Sequence, residues 1–240
     1  MQFLTYLLKT IERILTSGVR FLFVSGNKPV QGGFVVPYIL IEGVDGSGKD
    51  TQADLLVHRL EQQGEAPVRV TEPCDDLPTG KLLRKLLKSG EYKEAHAPLF
   101  LADRMALHSS VVAPALEEGQ TVISVRSFLS TLVYQQENWD LDWLISLHSR
   151  MLVKPDVIVW LDLDPNEGLN RVQLRGGAKD VYERLDIQTR NRERYASLLE
   201  GDPPSISPLC ANDIQVVRVD ASQSRRAVHE QIWEALCLKR

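Results

Sequence analysis

The sequence predicts an α/β fold, a doubly wound five-stranded parallel sheet with helices on both faces. Short apolar runs alternate with helical periodicity five times along the chain, the pattern of repeated right-handed strand–helix–strand units. The run Val157-Ile-Val-Trp-Leu161 is apolar throughout, as expected of a strand covered on both faces. Finally, Tyr38-Ile-Leu-Ile41 empties into a glycine-rich loop that opens a helix through Ala53, Leu55, Leu56 and Leu60, the context a phosphate-binding loop needs.

At 240 residues, 43% hydrophobic and 25% charged, the chain has the composition of an ordinary globular protein of one or at most two domains. A net charge of −4 gives no footprint for non-specific nucleic-acid binding, so anion chemistry has to be focused in a cleft. Cys74, Cys210 and Cys237 form no C-x-x-C pair and no ligand spacing with the five histidines, which points to a reduced, cytoplasmic protein without structural zinc.

Residues 1–36 read as an extension ahead of the main domain, which spans 37–240. Phe3, Leu4, Leu7, Leu8, Ile11, Ile14 and Leu15 follow helical spacing, and Lys9, Arg13, Arg20 and Lys28 outnumber Glu12, so an amphipathic helix is expected. Its apolar face is too interrupted by charge to span a bilayer. Packing on the domain or on a second subunit is preferred to membrane-surface attachment. Gly32-Gly33 makes the joint.

The remaining elements follow in order. Val68–Thr71 is the second strand, ending in Glu72-Pro73. Pro78 starts a helix through Leu82, Leu83, Leu86 and Leu87 that Gly90 closes. A long helix is expected from about 98 to 112, with Pro114 breaking it before Gly119. Thr121–Val125 is the third strand, followed by helices over 128–136 and 141–152. Pro165 opens the helix after the fourth strand, and Gly176-Gly177 makes a loop. A helix over 185–199 leads into the Pro-rich loop 201–208. Strand 214–219 and a closing helix with Val228, Ile232, Trp233 and Leu236 complete the chain.

Gly43-Val-Asp45-Gly46-Ser47-Gly48-Lys49 fits G-x-x-x-x-G-K. Glycines let the backbone turn and present amides to phosphate oxygens, Lys49 reaches the outer phosphates, and the helix N-terminus favours anions. Asp50 stands where a Ser or Thr hydroxyl would hold magnesium, and Thr51 follows it. A glycine-rich turn without a ligand is the alternative. Farther on, Phe100 and Arg104 lie four apart on one helical face, so a ring and a guanidinium can enter one pocket. Core packing is the competing account of Phe100. Arg104, among Leu101, Met105 and Leu107, needs a partner if buried.

Taken together, the loop at 43–51, Glu72-Pro73 with Gly80-Lys-Leu-Leu-Arg84, the segment 99–108, Arg126-Ser-Phe-Leu-Ser130-Thr131-Leu-Val-Tyr134-Gln135, Lys154–Pro165 and Tyr182-Glu183 resemble the thymidylate kinase family in order and spacing. The resemblance covers about residues 38 to 236. It implies the three-layer fold of P-loop nucleoside monophosphate kinases with a short mobile lid at 171–183. It also implies ATP and Mg²⁺ as cofactors, a deoxynucleoside monophosphate such as dTMP as acceptor, and a homodimer.

The resemblance further implies roles. Gly43, Asp45, Gly46, Ser47, Gly48, Lys49, Asp50 and Thr51 would hold ATP with the lid arginines Arg171 and Arg175. Asp45, Glu72, Arg84, Phe100, Arg104, Arg126, Ser130, Thr131, Tyr134 and Gln135 would hold the acceptor. Phe100 stacks on the base, Arg126 grips the acceptor phosphate, Tyr134 crowds the 2′ position and Asp45 meets the sugar 3′-hydroxyl. Lys49, Arg126, Arg175 and Asp50 would carry the transfer. The loop Val219-Asp-Ala-Ser222 resembles the one that passes the adenine.

This sequence departs from the family at three places. Val125 stands where an Asp precedes the phosphate-gripping Arg, Val181 where an Arg precedes the aromatic-Glu pair, and Asp50 at the hydroxyl position. The negative charge lost at 125 is expected to reappear at 50, with Asp50 as the magnesium ligand; a helix N-terminal acid that merely complements the dipole is the alternative. Two rival functions remain open: a deoxynucleoside kinase with Glu72 activating a 5′-hydroxyl, and a catalytically weak nucleotide-binding homologue.

Overall fold

The computed structural model describes residues 38–149, 153–176, 182–201, 204–211 and 214–237. The expected extension 1–36, its glycine joint, and Gly177 and Val181 in the lid lie outside the described residues.

Five strands, β1 (Tyr38–Glu42), β2 (Val68–Thr71), β3 (Val122–Val125), β4 (Val157–Asp162) and β5 (Gln215–Asp220), form one sheet in the order β2-β3-β1-β4-β5. Every pairing is parallel. Residues of β1, β3 and β4 are buried throughout, because helices cover both faces and leave no place for polar alternation. The helices are α1 (Lys49–Gln62), α2 (Pro78–Ser89), α3 (Lys93–Leu107), α4 (Ala113–Glu117), α5 (Phe128–Tyr134), α6 (Leu141–His148), α7 (Pro165–Arg175), α8 (Leu185–Leu199) and α9 (Arg225–Cys237). α1 packs with α9, while α5 packs with α3, α6 and α8. Crossovers from β1 and from β3 run in opposite directions, so right-handedness puts α1 and α5 on opposite faces.

Two prolines act differently from the sequence expectation. α3 begins at Lys93, with Pro98 inside it. Proline removes the amide that would bond the Glu94 carbonyl, and the indole Nε1 of Trp139 donates to that carbonyl instead at 3.2 Å. Pro114 does not break the second half. A π-helical turn over His108–Val112 lengthens the ladder so that Ala113 N–H bonds the His108 carbonyl, and helix resumes to Glu117. The expected helix over 128–136 tightens into a 3-10 turn at Gln135–Glu137. Gly90 does close α2, at φ 71° with its amide on the Leu86 carbonyl.

Strands β3 and β1 are neighbours whose outgoing connections diverge. The crevice beyond their C-terminal ends is therefore the place for a ligand, and both the glycine loop and Arg126 open onto it.

Candidate active site

The loop between β1 and α1 is shaped by its glycines. Gly43, Gly46 and Gly48 have φ of 148°, 80° and 92°, a region that side chains disfavour. A Cβ on Gly46 would come within 2.1 Å of the Gly168 carbonyl oxygen, so the loop lies directly on the backbone of α7. Lys49 is buried in the nest, its Nζ donating to the carbonyls of Gly43 at 2.9 Å and Val44 at 2.8 Å. Burial, with Arg126 nearby, pushes its ammonium down to about 7.

Arg126 follows β3 with φ 68°, a left-handed conformation for a bulky residue. Its amide bonds the Ile41 carbonyl at 3.1 Å, and Ser124 Oγ donates to its carbonyl at 2.8 Å. Two strand ends thus hold a backbone that costs roughly 1–3 kcal/mol. The guanidinium pairs with Asp45, donates to Ser130 Oγ at 3.2 Å and lies 5.3 Å from the Tyr134 ring centroid. Burial opposes ionisation of Asp45, but Arg126 and Lys49 more than offset it and hold the carboxyl below its usual range.

A cavity of about 90 Å³ is lined by Asp45, Gly46, Gly48, Lys49, Asp50, Thr51, Arg126 and Arg175. The glycine loop, Arg126 at the end of β3 and Arg175 at the end of α7 therefore converge on one cavity. A larger cavity of about 350 Å³ lies at the β5 edge between Trp160, Glu200 and Arg218 and shares none of these groups; the smaller one, ringed by amides and cations, matches phosphate chemistry.

Beside it lies a buried polar layer. Arg104 is 1% exposed and forks onto Glu72, its Nε at 3.1 and 2.8 Å and Nη2 at 2.5 Å, while Nη2 also donates to Thr131 Oγ1 at 3.1 Å. Burial pushes Glu72 up to about 7 against the pull of Arg104. Arg104 Nη1 and Gln135 Oε1 are buried and have no protein partner. Thr131, which takes Nη2 of the fork, and Gln135 are one helical turn apart. Phe100, one turn before Arg104, is half-buried against the core.

Three other expected site residues are engaged by protein partners. Arg171 is not brought to the cavity: it bonds the Ala221 carbonyl at 3.0 Å and Glu167 at 2.5 Å, tying α7 to the loop after β5. Arg84 pairs with Asp75 and donates to the Pro73 carbonyl at 3.0 Å. Asp50 lines the cavity, but its Oδ1 accepts from Arg69 at 2.7 Å and its side chain is 61% exposed. Arg69 also holds Asp54 at 2.8 Å.

Sequence reasoning missed several members. Glu42 ends β1 fully buried and accepts from Ser127 Oγ at 2.5 Å, Ser130 Oγ at 2.7 Å and Tyr195 hydroxyl at 2.9 Å. An acid inside an apolar strand was the available signal. Gln188 of α8 donates to Asp45 Oδ2 at 2.7 Å, accepts from the Asp45 amide at 3.0 Å and donates to the Tyr182 carbonyl at 2.9 Å. Nothing in its helix singled it out.

A parallel sheet of this order, with G-x-x-x-x-G-K between β1 and α1 and arginines converging on the loop, defines the class of P-loop nucleotide-dependent phosphotransferases. Within it, the family model described as thymidylate kinase matches residues 41–232. A probable thymidylate kinase of Thermococcus kodakarensis is 37% identical over 206 residues, 81% of this chain and 94% of the relative. A thymidylate kinase of Synechococcus sp. (strain JA-2-3B'a(2-13)) is 35% identical, covering 83% of this chain and 93% of the relative. The chain belongs to the thymidylate kinase family.

Proposed function

We propose that the chain transfers the terminal phosphoryl group of ATP to dTMP, giving dTDP and ADP. The supporting observation is the pair of buried, unpartnered atoms of opposite polarity, the donor Arg104 Nη1 and the acceptor Gln135 Oε1. Thymine presents the matching pair, an O4 acceptor beside an N3–H donor, whereas cytosine presents the reverse. Buried groups left unpaired by the wrong base make the selection.

Glu72 and Thr131 use up the rest of the Arg104 fork and so aim Nη1. Phe100 supplies a ring face for the base. Asp45 receives the sugar hydroxyl, Tyr134 fills space at the 2′ position, and Arg126 holds the acceptor phosphate with Ser130 orienting it. Across the cavity, the loop amides with Ser47, Thr51 and Lys49 hold the donor phosphates, and Arg175 enters from the lid. No covalent intermediate on the protein is needed; alignment in line and fixed positive charge lower the barrier.

Magnesium fits this donor set with Asp50 as its carboxylate, since that ion takes one or two carboxylates and fills its remaining positions from phosphates and water. Among the described residues no three His, Cys, Asp or Glu side chains gather to hold a metal by themselves. Held by Asp50, it would supply positive charge to offset that of the donor phosphates. A homodimer is supported by the family resemblance alone. Free Cys74 and Cys210 accord with a reduced, cytoplasmic setting, and among the described residues no helix is long and apolar enough to cross a membrane.

A coupled ADP-release assay over dTMP, dUMP, dCMP, dGMP and thymidine tests the proposal. Turnover with dTMP and dUMP but not dCMP or thymidine is expected. Turnover with thymidine alone would select a deoxynucleoside kinase, which the burial of Glu72 against Arg104 disfavours. ATP binding without turnover on any acceptor would select a weak nucleotide-binding homologue, the reading that the loss of a carboxylate at Val125 favours.

A further inference from the structure

Gln135 can read an N3–H only if its amide is held oxygen-outward, and the amide group is nearly symmetric in shape. Behind it runs a buried chain of hydrogen bonds. Gln135 Nε2 bonds the Tyr182 hydroxyl at 3.0 Å, that hydroxyl bonds His96 Nδ1 at 3.3 Å, and His96 Nε2 bonds the Glu91 carbonyl at 2.9 Å. Gln135 and His96 are 0% exposed and Tyr182 8%. The Tyr182 ring also stands edge-on to Tyr134 at 5.4 Å, and its carbonyl is fixed by Gln188.

We propose that His96 and Tyr182 are positioning residues that set the polarity of the Gln135 amide, and through it the discrimination between bases with an N3–H and bases with an N3 lone pair. The inference rests on the dTMP kinase reading and adds the residues that enforce its specificity. A backbone carbonyl only accepts, so the hydrogen of neutral His96 sits on Nε2. Nδ1 then carries a lone pair and takes the hydroxyl proton of Tyr182. The hydroxyl turns its own lone pairs to Gln135, which must answer with Nε2–H. Flipping the amide would set Oε1 against an oxygen whose single proton is already committed to His96. One carbonyl at Glu91 therefore propagates direction through three side chains to Oε1, a buried acceptor with no protein partner.

The test is the ratio of kcat/KM for dTMP to that for dCMP, with the ratio of equilibrium affinities for the two nucleotides as a second readout. It is made in the full chain and in Tyr182→Phe, His96→Leu and His96→Asn. Tyr182→Phe and His96→Leu should lower the ratio at least about tenfold, whereas His96→Asn, whose amide oxygen can stand in for Nδ1, should stay within about threefold of wild type. ATP-induced thermal shift verifies folding in each variant, and if Tyr182→Phe does not fold the two His96 variants decide. A ratio unchanged in His96→Leu, or an equal loss for both nucleotides, would overturn the inference. Wild type that fails to prefer dTMP would instead overturn the functional reading itself.

Discussion

Arg104 is a cation at 1% exposure whose partner, Glu72, is 3% exposed. Removing one member of such a pair strands the other charge, which costs about 3–5 kcal/mol. Glu72→Ala, measured by urea unfolding at pH 8 where the carboxylate is ionised, should fall in that range, and Glu72→Gln, which keeps an acceptor for the fork, well below it. His148 is the second buried test at this scale. Its Nδ1 donates to the Leu144 carbonyl at 2.7 Å, and burial plus Arg104 hold the imidazole down at about 3. The folded protein leaves it neutral while the unfolded chain protonates it near 6.5, so its contribution is present above 6.5 and is lost as pH falls from there toward 3. In pH-resolved denaturant titrations, His148→Leu should therefore lose less stability than wild type between pH 7 and pH 4.5. Arg104 and Phe100 were legible in the sequence because a charge and a ring share a face in an otherwise apolar stretch. The roles of Glu42, His96 and Gln188 were not, since the side chains and loop that give them a role, Ser127, Tyr182 and Asp45, lie 85 or more residues away and no local period records them.

The elements were more legible than the contacts between them. All five strands and the capping roles of Gly90 and Pro165 follow from local chemistry. The course through Pro98 and Pro114 does not, because a tryptophan from a later segment and a change of helical register compensate for the missing amides. Gly168 illustrates the same limit. It looks like an unremarkable helix glycine in α7, yet a Cβ there would approach the Asp45 carbonyl oxygen to 2.4 Å. Gly168→Ala should push the phosphate loop off α7 and raise Kd for ATP at least about tenfold, roughly 1.4 kcal/mol. Far-ultraviolet circular dichroism should remain native, because alanine otherwise favours the helix. Unchanged ATP affinity in a calorimetric titration would show that the loop is not seated by this contact.

For the whole molecule, strand order places the outcome. The divergence of connections between β3 and β1 brings residues 43–51 and 126 to one crevice, and a sequence that alternates strand and helix already implies such a point. What it does not imply is how charge is balanced there once Val125 has replaced an acid. Asp50 lines the same cavity, but Arg69 of β2 holds one of its oxygens, so the carboxylate has to serve both an ion pair at the surface and any metal in the cleft. Global stability reports on the division, because a ligand that binds only the folded state raises stability by RT ln(1 + [L]/Kd). ATP alone should raise Tm in wild type and in Asp50→Asn alike, since the loop amides and Lys49 do not depend on that carboxylate. Adding Mg²⁺ should raise Tm further in wild type, and this second increment should largely vanish in Asp50→Asn and grow in Arg69→Ala, which frees the carboxylate. An increment that survives Asp50→Asn intact would reduce Asp50 to a partner of the helix dipole and leave the charge missing at position 125 uncompensated.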